Sequence, residues 1–366
     1  MKPSGTIVIA GGGTGGHLMP GLAVARALAP ERPVFIGTAR GLEAKLVPAA
    51  GFELRLIAIG GLMGTGWRRQ TRTLARLPAA VAASARILKE VRAGVVLGIG
   101  GYASGPVLMA AGLMRVPIVL LEVNARTGMA NRWAARWAKV AAVNFPETAR
   151  DFRRAEITGI PVRKEFFSLP MPAPNPLPLV LVTGGSQGAH ALNQAVRAMA
   201  PSVSFGILHQ TGTSDAAACA SAYAALGGRV SATAFLDDMP AAIAQADLVV
   251  CRAGASTLGE LAAARRPAIL VPFPGAADQH QLRNAEALAR AGAAVLLDQR
   301  ELTPERLAQE CTALVAAPQR LAALRTAIAD FAHPDAANRI AALVRQAAQG
   351  ACRQRGGTPP SISILA

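Results

Sequence analysis

The sequence predicts an α/β protein of two doubly wound, Rossmann-like halves, on three observations. Short β-branched or aliphatic runs alternate with glycine-rich turns and Ala/Leu-rich helical stretches along the 366 residues. The opening segment Thr6 to His17, TIVIAGGGTGGH, aligns without gaps on Leu179 to His190, LVLVTGGSQGAH, an offset of 173 residues. Between the halves, Ile160 to Pro178 holds prolines at 161, 170, 172, 174, 176 and 178, too dense for a helix or a central strand. The expected division is a first domain over 1–163 and a second over 164–349, joined by a linker or hinge at about 160–178 and followed by a loose tail over 350–366.

Strands are expected at Thr6–Ala10, Pro33–Gly37, Val95–Leu97 and Ile118–Leu121 in the first half. In the second half a strand is expected at the start of Leu179–His190, and further strands at Phe205–His209, Asp247–Cys251, Ala268–Val271 and Ala294–Leu297. Their apolar runs do not alternate with polar residues, which is the pattern of parallel strands covered on both faces. A helix is expected near Gly21–Leu28, and a last amphipathic helix over Ala336–Gln349.

Composition narrows the function. With 52% hydrophobic and 16% charged residues and a mean hydropathy of +0.32, the chain is too apolar for disorder. Three uncharged stretches reach about a membrane-spanning length, but glycines and prolines break each where a soluble strand would enter a loop. Cys219, Cys251, Cys311 and Cys352 show no metal-binding spacing, and reduced thiols in the cytoplasm are expected. The net charge is +16; residues 1–163 hold 22 basic and 8 acidic side chains, or +14, and the remainder 16 and 14, or +2. An acidic partner or anionic surface is therefore expected on the first half. Only 4% of residues are aromatic and no nucleic-acid module is recognisable, which argues against nucleic acid.

Gly11, Gly13 and Gly16 satisfy GxGxxG after a strand, but the second strand ends in Thr38 without the acid that would bind a dinucleotide ribose. What survives is a glycine turn whose backbone N–H groups approach a phosphate at a helix start. His17 follows it, either as a general base toward a hydroxyl or as a side chain that hydrogen-bonds the helix start. In the second half, Gly254-Ala-Ser-Thr257 opens a helix and suits a diphosphate, with Arg252 as a counter-charge. Glu260, one turn further, reads equally as a ribose ligand and as an acid stabilising the helix dipole. Asp278 to Asn284 suits a many-hydroxyl ligand, although polar helix caps look the same. Neither a Walker A motif nor a DxD is present, so helix dipoles, amides and Arg are expected to stabilise a leaving diphosphate without a metal.

Taken together, GGGTGGH (11–17), GGYASGP (100–106), LEVNARTGMANR (121–132), GIPVR (159–163), TGGSQGA (183–189), FLDDM (235–239), CRAGASTLGE (251–260) and ADQHQLRNA (277–285) resemble, in order and spacing, the MurG family. These are the undecaprenyl-diphospho-muramoylpentapeptide β-N-acetylglucosaminyltransferases of glycosyltransferase family 28. The resemblance implies a GT-B fold, two Rossmann-like domains facing across a cleft, with the C-terminal helix packing back on the first. It implies an inverting, metal-independent transfer of GlcNAc from UDP-GlcNAc to the C4 hydroxyl of a lipid-linked MurNAc-pentapeptide diphosphate, with no cofactor. By the same resemblance Arg163 and the backbone near Leu236 face uracil. Ser186 and the turn Ala255, Ser256 and Thr257 face the diphosphate, and Glu260 faces the ribose. His280 and Gln281, with Asn124 reaching from the first domain, face GlcNAc. Thr14, Gly15, Gly16, Gln187, Arg252, Leu258 and Gly259 join the donor set. Gly12, Gly13, Gly100, Gly101 and Tyr102 face the acceptor diphosphate, and His17 is the candidate base. Leu121 stands where many members carry a histidine, and Arg126–Gly128 is an unusual loop beside Asn124.

The lipid substrate implies peripheral attachment to the cytoplasmic face of the plasma (inner) membrane. Residues Ile57 to Arg92, with Leu62, Met63, Trp67, Arg68, Arg69, Arg72, Arg76, Arg86 and Lys89, are the expected anionic-surface patch; a solvated basic helix face is the other reading. Cell-wall and division-complex proteins are further candidate partners. A UDP-GlcNAc 2-epimerase or a diacylglycerol glycosyltransferase is the nearest rival.

Overall fold

The computed structural model describes residues 5–13, 15–59, 67–172, 176–185 and 187–355, the stretches 67–74 and 351–355 by their backbone alone. The chain divides into two compact units, one of residues 1–123, 127–158 and 335–366, the other of 124–126 and 159–334.

In the first unit the strands are β1 (Thr6–Gly11), β2 (Val34–Gly37), β3 (Glu53–Leu56), β4 (Ala93–Gly100), β5 (Ile118–Glu122), β6 (Ala138–Val143) and β7 (Ala155–Ile157). Between them run α1 (Gly15–Ala27), α2 (Glu43–Ala49), α3 (Trp67–Glu90), α4 (Ser104–Leu113), α5 (Met129–Ala134) and α6 (Pro146–Ala149). Among the described residues these strands form one parallel sheet in the order β3-β2-β1-β4-β5-β6-β7. The central strands are buried along their length, as the uninterrupted apolar runs predict, and Val8, Ile36, Val96 and Ile118 pack with Leu88 and Val107 from the helices.

The second unit holds β8 (Leu179–Thr183), α7 (His190–Met199), β9 (Gly206–Gln210), α8 (Ala216–Tyr223), β10 (Val230–Thr233), α9 (Met239–Gln245), β11 (Leu248–Cys251) and α10 (Ala255–Ala264). It continues with β12 (Ala268–Leu270), α11 (His280–Arg290), β13 (Val295–Leu296), α12 (Pro304–Val315) and α13 (Pro318–Ala329). Its parallel sheet, among the described residues, runs β10-β9-β8-β11-β12-β13. In each sheet the order reverses beside the strand that begins the internal echo, between β1 and β4 and between β8 and β11. Such a reversal opens a crevice at the carboxyl ends of the strands, where ligands bind in doubly wound sheets.

Three expectations change. The last helix, α14 (Ala336–Arg355), extends six residues beyond Gln349; it packs on α1 and β4, as the resemblance implies, and the expected second domain of 164–349 thereby gives up its C-terminal part to the first unit. Arg345 anchors it, bonding both carboxylate oxygens of Glu31 at 3.1 and 2.9 Å and the carbonyls of Ala27 and Ala29. Of the expected tail over 350–366, residues 350–355 are therefore helical, and 356–366 lie outside the described residues.

The proline-rich linker is docked on the second unit over its described part. Phe166 is fully buried, and Arg266, also fully buried, bonds the carbonyls of Ile243, Ala244, Ala264 and Pro170. Burial lowers the Arg266 guanidinium to about 10. Cys219, Cys251 and Cys311 are buried free thiols, and burial pushes the latter two up to about 12.

Candidate functional site

In the first unit the expected residues converge at the carboxyl ends of β1 and β4. Gly11 and Gly12 have φ of +146° and +149°, and Gly100 and Gly101 +87° and +79°, conformations that favour glycine. The two turns interlock: a Cβ on Gly11 would lie 2.5 Å from the Gly100 carbonyl, and one on Gly101 2.2 Å from the Gly12 carbonyl. His17 lies in the first turn of α1, which starts at Gly15 rather than near Gly21, and its ring sits against Gly100, whose Cβ would be 2.9 Å from Nδ1. The Tyr102 ring covers Gly13. Thr14 lies outside the described residues.

One residue that the sequence reading missed holds this cluster from behind. Glu43, fully buried at the start of α2, accepts the Gly13 N–H at 2.8 Å and the N–H and hydroxyl of Thr38, each at 2.9 Å. Thr38 in turn meets the Tyr102 hydroxyl at 3.1 Å. The Gly13 amide is thus directed at a carboxylate and does not donate to an acceptor phosphate. The available signal was an acid shortly after β2 flanked by Gly37 and Gly41, each of which leaves room for the Glu43 side chain.

In the second unit, segment 159–163 crosses α10. A Cβ on Gly259 would lie 2.5 Å from Ile160 and 2.9 Å from Val162, so the glycine permits this approach. It brings Arg163 Nη2 to 3.9 Å from Glu260 Oε1, and the Arg163 guanidinium stacks 4.8 Å over Phe166. Burial pushes the Glu260 carboxyl up to about 7 despite the opposing Arg163 charge. Gly254, Ala255, Ser256 and Thr257 open α10, whose first turn carries no acid, so its positive end faces the crevice between β8 and β11. Ala255 and Leu258 are buried and Gly259 packs inward, so these three offer backbone rather than side chains to a ligand.

Arg252 also braces the protein itself. One of its guanidinium nitrogens bonds the carbonyls of Val271 and Pro272 at 3.0 and 3.2 Å, and the group lies 5.5 Å from the Phe273 ring. It fixes the loop after β12, and burial lowers its guanidinium. Gln281 accepts the Phe273 N–H at 2.9 Å, which ties α11 to the same loop. His280 Nδ1 donates to the Ala277 carbonyl at 2.6 Å. Asp278 and Gln279 just before it have φ of +52° and +53°, strained for residues with side chains.

Asn124 and its two neighbours group with this unit. The Asn284 amide nitrogen donates to the Asn124 side chain and the Ala253 carbonyl, each at 3.1 Å, its oxygen accepts the Ala125 N–H, and Arg126 reaches the Asp278 carbonyl. Arg126 thus gives the loop beside Asn124 a binding partner on the strained turn. Leu121 is buried in β5, with its carbonyl accepting from Asn131.

The loop after β8 is drawn against Thr211 and Gly212: a Cβ on Gly188 would lie 1.9 Å from the Thr211 carbonyl. Gln187 is exposed there, and Ser186 lies outside the described residues. Leu236 follows β10, at the sheet edge opposite β13, two strands away from β8. Beneath this loop His209 is fully buried between Tyr223 and Asn193, and burial lowers its imidazole to about 4, so it stays neutral. Among the described residues no group of three side chains could hold a metal ion.

Residues 7–143 match the glycosyltransferase family 28 N-terminal domain, and residues 179–340 match the glycosyltransferase family 28 C-terminal domain. The chain belongs to glycosyltransferase family 28. Family 28 relatives align over nearly the whole of this chain. The UDP-N-acetylglucosamine–N-acetylmuramyl-(pentapeptide) pyrophosphoryl-undecaprenol N-acetylglucosamine transferase of Solibacter usitatus is 45% identical, covering 94% of this chain and 96% of its own. The transferase of the same name from Anaeromyxobacter sp. (strain K) is also 45% identical, with 96% and 94% covered. The crystal structure of Acinetobacter baumannii MurG superposes with a TM-score of 0.81 at 32% identity, covering 93% of this chain and 99% of that one. A UDP-GlcNAc 2-epimerase from Neisseria meningitidis, 11% identical with a TM-score of 0.63, covers 94% of this chain and 100% of its own and shares the fold alone.

Proposed function

We propose that this family 28 enzyme transfers GlcNAc from UDP-GlcNAc to the C4 hydroxyl of MurNAc in a polyprenyl-diphosphate-linked MurNAc-pentapeptide, with inversion and without a metal. The observation that carries the reading is the end of β11: an acid-free helix start lined by Gly254 to Thr257, with Glu260 and Arg163 paired at 3.9 Å one turn away. That arrangement suits a nucleoside diphosphate, with the phosphates at the positive helix end and the ribose hydroxyls donating to Glu260. Arg163 and Leu236 face uracil in this reading, Ser186 and Gln187 the diphosphate, and His280, Gln281 and Asn124 the sugar.

The first unit binds the acceptor. His17 takes the proton of the attacking hydroxyl, that oxygen bonds to the anomeric carbon, and UDP departs with its negative charge facing the α10 amides. Of the acceptor set, Gly12, Gly100 and Gly101 present backbone, while the Gly13 N–H is taken by Glu43.

Attachment to an anionic leaflet at the cytoplasmic face accompanies this reading. Arg76, Arg86 and Lys89 are exposed on α3, Arg92 just after it, Leu113 at the end of α4 and Trp133 on α5, and these helices pack successively. Each cation near such a surface contributes about 1 kcal/mol. Ile57 is buried and leaves the expected patch; Leu62 and Met63 lie outside the described residues, as do the side chains of Trp67, Arg68, Arg69 and Arg72. Among the described residues no helix is long and apolar enough to cross a membrane.

The test is transfer of labelled GlcNAc from UDP-GlcNAc to the lipid-linked acceptor in the presence of EDTA. No transfer by folded protein overturns the reading, and turnover of UDP-GlcNAc without any acceptor favours an epimerase.

A further inference from the structure

We propose that Glu43 is a positioning residue for the acceptor, acting through Thr38 on Tyr102. This inference rests on the assignment of the first unit to acceptor binding and goes beyond it in naming what Tyr102 recognises. Glu43 stands at the carboxyl ends of the neighbouring strands β2 and β1 and touches the segment leaving each, and through Thr38 it reaches Tyr102, which follows β4. Its surroundings are built for it: Cβ atoms on Gly12, Gly37 or Gly41 would lie 2.4, 2.6 and 2.0 Å from its side-chain atoms.

Hydrogen counting fixes the direction of the chain. A carboxylate only accepts, so the single Thr38 hydroxyl hydrogen goes to Glu43 Oε1. Thr38 Oγ1 can then only accept in its contact with Tyr102, and the Tyr102 hydroxyl must donate inward. With its proton committed, the Tyr102 oxygen is an acceptor toward any ligand. It matches a hydroxyl or amide N–H of the acceptor's sugar or peptide. It does not match the diphosphate, which would bring a second acceptor to an oxygen that already has a carboxylate behind it. The role expected for Tyr102 from the sequence, a diphosphate contact, thereby changes.

Four variants test this through acceptor KM, kcat, UDP affinity by calorimetry and thermal melting. Thr38→Val keeps the backbone bond to Glu43 and removes only the relay, and Thr38→Ser restores it. Tyr102→Phe removes the ligand-facing oxygen. Glu43→Gln must set an amide N–H against either the Gly13 or the Thr38 backbone N–H, since each carboxylate oxygen faces one of them.

The expected result is that Thr38→Val and Tyr102→Phe each raise acceptor KM on the order of tenfold, the scale of losing an oriented buried hydrogen bond. Their combination should do no more than either alone, Thr38→Ser should behave as wild type, and UDP affinity should be unchanged throughout. Glu43→Gln should add a lowered melting temperature to the same KM effect. A raised KM in Tyr102→Phe with wild-type KM in Thr38→Val overturns the relay, as does a Glu43→Gln variant that melts earlier yet keeps its acceptor KM. If Tyr102→Phe shifts UDP affinity and leaves acceptor KM alone, the acceptor assignment of the first unit is what fails.

Discussion

Replacing Glu260 by glutamine should make the free enzyme more stable at alkaline pH and weaken its grip on UDP. Burial lifts this carboxyl from an ordinary 4.5 to about 7, with Arg163 opposing the rise. A folded-state value above the unfolded one means that the native protein holds the proton more tightly. Stability therefore declines as pH climbs from 4.5 toward 7, and the full cost is present above that. At about 1.4 kcal/mol per factor of ten, ionising Glu260 in place costs about 3 kcal/mol at most. The side chain is 26% exposed, so solvent screening reduces the expected gain for the uncharged variant to about 1–2 kcal/mol at pH 8.5.

Binding should move the other way. Two ribose hydroxyls donate to a carboxylate, so UDP affinity in the wild type should rise with pH through about 7 and level off. Hydrogen bonds to a charged group are worth about 1.5–3 kcal/mol, so glutamine should lower affinity by roughly 10- to 150-fold at pH 8 and flatten the pH profile. Thermal melting from pH 5.5 to 8.5 and calorimetry with UDP over the same range check both halves. A glutamine variant no more stable than wild type at pH 8.5, or a wild-type UDP affinity that is level between pH 6 and 8, refutes the reasoning.

His17→Ala should abolish transfer with UDP affinity intact, as read by radiolabelled product and calorimetry; full activity removes His17 from the role of base. Gly100→Ala should act similarly through its neighbour, because a methyl at φ +87° would press on His17 Nδ1 from 2.9 Å, and a normal kcat would show that the imidazole need not stay there. Gly188→Ala should unfold the donor loop, its Cβ being placed 1.9 Å from the Thr211 carbonyl at φ +74°, and lost UDP binding in a still-folded protein is the expected readout. Arg345→Met should cost about 1–2 kcal/mol at pH 7 in a denaturant titration. Arg345 holds the Glu31 carboxyl below its ordinary 4.5, so that contribution is present above 4.5 and fades as pH falls; a deficit that persists unchanged at pH 3 would contradict the ion pair.

Most strands that the sequence revealed lie inside the sheets and most that it hid lie at the edges, the edge strand β13, expected at Ala294–Leu297, being the exception. β1, β4, β5, β8 and β11 lie inside, covered on both faces, and read as unbroken apolar runs. β3, β7 and β10 are edge strands with exposed or half-exposed residues, such as Glu53, Arg55 and Ser231, and carry no such run. β6 is hidden for another reason, since Ala138-Lys-Val-Ala-Ala-Val143 is as suited to a helix as to a strand. At the site, the glycines and His17 were legible because backbone constraint leaves a local mark. Glu43 was not, because its meaning depends on Gly12, Thr38 and Tyr102 arriving from separate segments. Arg252 has the right charge for a phosphate, yet its partners are carbonyls that no local pattern reveals.

The return of α14 to the first sheet has a consequence for how the protein is made. A ribosome emits residues 1–158 first, but the helix that covers α1 and β4 emerges only after the whole second unit. The second unit can complete itself during synthesis, whereas the first must wait with an uncovered face until α14 has been made. A fragment ending at residue 158 would keep that face bare, so an autonomous first unit calls for a circular permutation that joins residues 335–355 ahead of Thr6.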